Sequence, residues 1–207
     1  RYDPRAATLD TEASAAFANK PNAVAAILYA DTGSVLLQAA YKQGLTKGVI
    51  LLLTDGVYSD DFVKKVGKGA DGKSIIAGAL GTVPGANGKS LDSFTKTWKD
   101  KTGKDVTAFV PHTYDAAILM MLAAEAAKSN TGEGIKSKIR EVSAGKGEPV
   151  TDACKALALV KAGKPINYQG ASGNVDIDAN GDVVGSYDVW TVEPDGKLKV
   201  IDKVMPQ

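Results

Sequence analysis

Eight consecutive residues, Gly67-Lys68-Gly69-Ala70-Asp71-Gly72-Lys73-Ser74, match the pattern of a phosphate-binding loop. In such a loop a strand delivers the chain and glycines let backbone N–H groups close on phosphate oxygens. A following helix then aims its N-terminus at the charge. A nucleotide-dependent enzyme would use Lys73 against the terminal phosphates. Here the flanks run the other way: a helix start, Ser59-Asp60-Asp61, precedes the loop, and an apolar run of strand length follows from Ile75. With the order reversed, the segment is expected to be a Gly/Lys-rich surface turn, and no nucleotide site is predicted.

A metal-like pattern fails on other grounds. Asp176-Ile177-Asp178-Ala179-Asn180-Gly181 copies the first half of a calcium loop, but Tyr187 stands where a bidentate Glu is required. The flanks read as strands, so a hairpin turn is expected. His112 is the only histidine and Cys154 the only cysteine. Any Ser–His–Asp or Cys–His mechanism must therefore pass through His112, and no G-x-S-x-G elbow accompanies it. One His and one Cys also cannot build a structural zinc site. Cys154, near Ala153, Ala156, Leu157 and Val160, is expected to be a small packed residue. The residues alone thus predict no zinc site and disfavour a hydrolase.

Tyr29 and Asp55 are quieter candidates. Both fall at the carboxyl ends of apolar runs that read as parallel strands, the edge at which open α/β sheets bind ligands. Asp55-Gly56 after such a strand suits a receptor for a ligand ammonium, although an Asp there also shapes turns or caps the next helix.

The elements that position these residues alternate. A helix is expected over 9–19, ended at Lys20-Pro21-Asn22, then a strand buried on both faces over 23–29. A helix over 34–43 ends at Gly44, a strand spans 49–53, and a third strand is expected over 75–80. Further helices are expected over 91–102, 114–128, 135–143 and 152–162, with a loop at 144–149. The 114–128 helix is apolar nearly all round, as for a helix sandwiched in a core. Beyond Asn174 the pattern is strand-like, punctuated by Asn180-Gly181 and Pro194-Asp195-Gly196 turns. Strand–helix–strand alternation with short connections predicts an α/β fold with a parallel, helix-covered sheet. There are no internal repeats and no low-complexity linker.

Composition narrows the function classes. Lys plus Arg number 25 against 24 Asp plus Glu, and aromatics are 6% of the 207 residues. That balance gives no electrostatic reason to expect nucleic acid or an anionic membrane surface as partner. The longest apolar run, 116–124, has nine residues, against roughly 20 needed to cross a bilayer. The chain begins at Arg1 rather than Met, so it is expected to be processed or to be a piece of a longer polypeptide.

Several segments together resemble the leucine/isoleucine/valine-binding family of type I periplasmic binding proteins. They are Tyr29-Ala30-Asp31 leading into a helix, Gly44-Leu45 before a strand, Thr54-Asp55-Gly56 after it, and Gly81-Thr82-Val83-Pro84-Gly85. Ala108-Phe109-Val110, Tyr114-Asp115-Ala116-Ala117, the 166–173 stretch and the turn from Val175 to Asp182 follow in order. The resemblance implies two α/β lobes that close on a ligand between them, with no catalysis and no cofactor. It implies that Asp55 receives the ligand's ammonium, that Tyr29 walls the pocket with Gly56 beside the acid, and that Phe109 comes from the other lobe. Residues 1–83 would belong to the second lobe, 84–185 to the first, and 186–207 would return to the second. The family's chain is roughly twice this long, so a missing amino-terminal segment would supply the donors for the ligand carboxylate. Without it each lobe would keep open sheet edges and uncovered apolar faces, and the chain is expected to fold only with that segment. The function implied is an extracytoplasmic receptor, periplasmic or lipid-anchored, that captures an amino acid and delivers it to an ABC permease. The alternatives are a ligand-sensing ectodomain of the same fold and, from a different class, a nucleotide-dependent enzyme using Lys73.

Overall fold

The computed structural model describes residues 3, 6 and 8–206; Arg1 and the terminal Gln207, on which the expected outer boundaries rest, lie outside them. In chain order the first elements are α1 (Asp10–Ala16), β1 (Ala23–Ala26), α2 (Ala30–Lys42), β2 (Ile50–Leu53), a 3-10 turn (Asp55–Val57), α3 (Asp60–Val66) and β3 (Leu80–Pro84). Then come α4 (Leu91–Thr102), α5 (Val110–Ala127), α6 (Gly132–Ser143), β4 (Glu148–Val150), α7 (Ala153–Lys161), β5 (Ile166–Tyr168), β6 (Tyr187–Val192) and β7 (Leu198–Val204). They fall into two compact units. One is the chain up to Val83 together with Asp188–Val204, and the other is Pro84–Tyr187 with the residues from Met205.

The first unit is built on a five-stranded sheet of order β1-β2-β3-β6-β7. β1, β2 and β3 are parallel, with Ala26 opposite Leu53 and Leu53 opposite Gly81. β6 turns back on β3: Gly78 N–H donates to Val192 O (2.9 Å) and Gly85 N–H to Ser186 O (2.8 Å), so the pairing numbers run in opposite directions. The Pro194-Asp195-Gly196 turn joins β6 to β7, with Gly196 at φ +95° and Glu193 N–H donating to Lys197 O at 2.8 Å. Leu51, Leu53, Val83, Trp190 and Val192 are buried, as are Leu37, Phe62 and Val66 of α2 and α3. Gly81 has no room for a side chain: a Cβ there would stand 2.2 Å from Trp190 Cζ2.

Local chemistry explains the helix starts. Ser59 Oγ accepts the Phe62 N–H at 3.2 Å, and acidic residues occupy the first turn of α3 with lysines in its last. Thr131 caps α6 through the Gly134 N–H (3.2 Å), which sets its start at Gly132, ahead of the expected 135. Asp152 caps α7 through the Lys155 N–H at 2.7 Å.

Several expectations are corrected. The strand expected over 75–80 begins only at its last residue, Leu80: Ala77 N–H donates to Ser74 O and Ala79 N–H to Ile76 O, two consecutive turns, with Gly78 at φ +83°. Ile76 and Ala79 are apolar because those turns are buried. The strand expected over 23–29 stops at Ala26 and is not buried on both faces. In β2, Leu51 and Leu53 are buried while Ile50 and Leu52 are 52% and 42% exposed, so one face of the sheet is open. The expected loop at 144–149 contains the start of β4, which pairs parallel with β5 in a two-stranded sheet. Its Pro149 is tolerated because the strand lies at an edge. Helix α5 is not sandwiched: Ile118, Leu119, Leu122 and Ala123 enter the core of the second unit, while Met120 and Met121 are exposed. Cys154 is exposed, because Ala156 and Val160 carry the buried face of α7 and a residue two positions away points elsewhere.

The core of the second unit gathers α5, α6 and α7 around β4 and β5, through residues such as Leu122, Val142, Val150, Ala156, Ile166 and Tyr168. On α4, Phe94 rests on Tyr114 (ring centroids 4.7 Å apart) and on Trp98. Residues 175–186 carry no strand. There Asp178 Oδ1 accepts the N–H groups of Asn180 (2.8 Å) and Asp182 (2.9 Å), so the Asn180-Gly181 turn closes a loop rather than a hairpin.

Candidate functional site

Because β1 and β2 are parallel and Ala26 faces Leu53, the chain leaves both strands at one edge of the sheet. Two residues past β2 stands Asp55, and three past β1 stands Tyr29. Tyr29 is the N-cap of α2 with extended backbone (φ −114°, ψ 156°) and no side-chain cap bond; its side chain is 75% exposed. Asp55 opens the 3-10 turn and is exposed. Gly56 lies where the two segments meet. A Cβ at Gly56 would come within 2.5 Å of Leu28 O and 3.3 Å of Tyr29 Cδ1. The Tyr29 ring and the Asp55-Gly56 turn are therefore neighbours, and only glycine fits between them.

The side chain of Asp55 makes no hydrogen bond or ion pair among the described residues. It does not cap the following helix, since Ser59 does that, and the 3-10 turn has no side-chain cap. Of the roles open to it in the sequence, helix capping is removed. An exposed carboxylate without a partner, at the carboxyl edge of parallel strands, has the chemistry of a receptor for a cation. Nearby, Tyr58 packs its ring on Trp190 (centroids 5.3 Å apart). Burial, then the carboxylates of Asp188 and Asp60, push its phenol above the ordinary range.

Phe109 belongs to the second unit. It is the N-cap of α5 and adopts φ +69°, ψ −16°, the left-handed region that bulky residues seldom occupy. Its carbonyl accepts the Thr113 N–H at 2.8 Å, and its ring lies 6.3 Å from that of His112. His112 Nε2 lies 3.1 Å from Gly85 O, so the sole histidine braces the backbone, and its Nδ1 has no hydrogen-bond partner among the described residues.

The phosphate-loop look-alike is a small hairpin. Lys68 and Ser74 form an antiparallel bridge, Gly69 N–H donates to Lys73 O (2.8 Å), and Gly72 N–H donates to Gly69 O (3.0 Å). Asp71 Oδ1 takes the Lys73 N–H at 3.1 Å. Those N–H groups are committed inside the loop, helix α3 precedes it, and turns follow. The calcium look-alike is likewise committed: Asp178 holds its own turn, and Asp176 accepts from Asn167 (3.3 Å) and Asn174 (2.9 Å). Among the described residues no group of three or more His, Cys, Asp and Glu is placed to hold a metal ion. No helix among them is long and apolar enough to cross a membrane.

One buried carboxylate escaped the sequence reading. Asp115, on α5, accepts from Ala171 N–H (2.9 Å), Ser172 N–H (2.7 Å), Ser172 Oγ–H (2.5 Å) and Tyr168 O–H (3.3 Å). It is almost fully buried and organises the 168–172 segment after β5. The hint in the sequence is an acid directly before the apolar run 116–124.

The family described as the receptor family ligand binding region matches residues 4–195. Among solved structures, a leucine binding protein LivK from Thermotoga maritima superposes with a TM-score of 0.71 at 22% identity, covering 99% of this chain and 51% of its own. LivJ from Streptococcus pneumoniae, a branched-chain amino acid transporter substrate binding protein in complex with isoleucine, gives 0.67 at 14% identity, with coverages of 99% and 51%. A chemotactic signal transduction system substrate-binding protein, BasB of Halobacterium salinarum, is 39% identical over 88 residues, 40% of this chain and 21% of that protein. The chain thus spans about half the length of the solved relatives and less of BasB. The fold of the LivK and LivJ proteins, with its parallel-rich sheet, is the fold of this chain, and the chain belongs to the receptor family ligand binding region, the family of type I periplasmic binding proteins.

Proposed function

We propose that this chain is part of an extracytoplasmic solute receptor, periplasmic or lipid-anchored, that captures an amino acid, branched-chain or similar, and hands it to an ABC permease. The observation that carries the reading is Asp55: an exposed carboxylate, without a partner among the described residues, beside the Tyr29 ring at the carboxyl edge of β1 and β2. In this reading Asp55 receives the ligand ammonium, Tyr29 walls the pocket, and Gly56 keeps the approach open. Phe109 is contributed by the second unit, and its left-handed backbone is strain of the sort found at ligand sites. The two units act as the two ligand-binding lobes, and binding shifts them between states by differential affinity. No step of covalent chemistry is required of any residue.

The LivK and LivJ proteins are about twice as long as this chain, and Ile50 and Leu52 leave one sheet face open. We propose that a further, amino-terminal segment of the same protein covers that face and supplies donors for the ligand carboxylate. Native mass spectrometry with an amino-acid panel tests the function. The expected result is a complex of this chain with that segment, gaining one amino-acid mass. A compact lone species of 21.5 kDa that binds no amino acid overturns it.

BasB's name favours a second reading, in which the receptor reports to a signalling system rather than a permease. Stimulation of a permease's ATPase by the liganded receptor separates the two.

A further inference from the structure

We infer that the first unit carries a second ligand site, for a small organic anion with an apolar body, in the cleft bounded by α3, the 67–74 loop and the β6–β7 turn. The cleft has a volume of about 380 Å³ and is lined by Val63, Lys64, Lys68, Ser74 and Lys197, with Asp60, Asp195 and glycines completing its wall. None of Tyr29, Asp55, Gly56 or Phe109 lines it.

Three observations assign the ligand. Lys64 and Lys68 are exposed and have no ion-pair partner among the described residues, whereas Lys197 is held by Asp195 at 2.9 Å. The three ammonium groups outnumber the two carboxylates, and the Asp195 carboxylate is already occupied by Lys197 and by its backbone N–H at 3.0 Å. Ser74 is 6% exposed, yet its hydroxyl has no hydrogen-bond partner among the described residues. Its backbone N–H is satisfied by Pro194 O at 2.9 Å, so it is the hydroxyl alone that lacks a mate; the residue lines the cleft while the oxygen itself is covered, and a rotation about χ1 is what presents it to a ligand. A buried hydroxyl without a partner costs stability; an anionic ligand oxygen in the cleft supplies the missing acceptor, and Lys64 and Lys68 supply the charge. Between them Val63 and the lysine stems offer apolar surface. The loop that imitates a phosphate-binding motif thus contributes through Lys68 and Ser74 side chains, not through its backbone.

The shared chemistry is one compact anionic group on an apolar body, and carboxylate and phosphate sources are separated by titrating benzoate and phenyl phosphate by calorimetry into the whole receptor, its amino-terminal segment included. Saturable binding of either probe is expected, weakening as salt is raised. Lys64→Gln combined with Lys68→Gln, both surface changes, should weaken it by at least about tenfold, the scale of one lost charge-assisted bond. Ser74→Ala should weaken binding while raising the melting temperature, opposite signs that a purely structural serine would not give. Asp55→Asn should leave probe binding unchanged, so failure here and failure of the amino-acid site are read separately. Absence of binding by both probes, or binding indifferent to the lysine pair, overturns the assignment.

Discussion

Removing the Asp115 carboxylate should be among the most damaging single changes in the second unit. The carboxylate accepts two backbone N–H groups, a serine hydroxyl and a tyrosine hydroxyl, and Ala171 and Tyr168 are fully buried beside it. A hydrogen bond to a charged group contributes ~1.5–3 kcal/mol, and a buried donor left without a partner costs ~1–3 kcal/mol. In Asp115→Ala three close donors lose their acceptor at once. Some water entry and relaxation offset the sum, so a loss of about 3–5 kcal/mol is expected, the range seen when a buried charged network is broken. Asp115→Asn keeps one oxygen and turns its amide toward the remaining donors, so about 2 kcal/mol is expected. Urea denaturation gives the magnitudes, and native-state hydrogen exchange gives the location, since the Ala171 and Ser172 amides should lose protection first. Protection at those amides unchanged in Asp115→Ala, with stability within about 0.5 kcal/mol of the parent, would refute the role assigned to this carboxylate.

Two further outcomes follow from the same physics. Burial, and the adjacent Asp115 charge, push the Tyr168 phenol well above its ordinary value of about 10. A raised folded-state pKa gives stability that is complete below the unfolded value and lost as pH climbs beyond it, so the unfolding midpoint should fall above about pH 10. That decline should be shallower in Tyr168→Phe; an unchanged slope would exclude Tyr168 as its source. At Phe109, replacement by Gly relieves the left-handed backbone (φ +69°) and should raise stability by about 0.5–1 kcal/mol while weakening amino-acid binding. A variant both less stable and unaltered in binding would mean that the ring is simply packed.

Much of the fold was legible because its signals are local. Ser59 and Asp152 read as helix starts and do cap α3 and α7. Leu91, Phe94 and Trp98 stand at helical spacing, and α4 runs over Leu91–Thr102, the expected 91–102. The parallel strands were legible too, and with them the shared edge of Tyr29 and Asp55. Where the reading failed, the deciding contact was distant or the pattern ambiguous. An apolar run such as 75–80 looks alike whether it is a strand or buried turns, and Gly78 decided for turns. One-sided burial of β2 depends on what covers each face, which no window of sequence reports. Asp115 binds a segment more than 50 residues away, so its role was invisible before the fold was known. The closeness of Gly56 to the Tyr29 ring is equally hidden in the sequence, although both residues stand out there.

The central claim is that Asp55 receives the ammonium of an amino acid. Calorimetric titration of leucine and isoleucine into the protein and its Asp55→Asn variant tests it most directly. Loss of a charge-assisted bond predicts affinity weaker by roughly tenfold to a hundredfold, with the melting temperature of the unliganded protein unchanged because the Asp55 side chain makes no bond among the described residues. Equal affinity of the two proteins for both amino acids would contradict the account and remove Asp55 from the site.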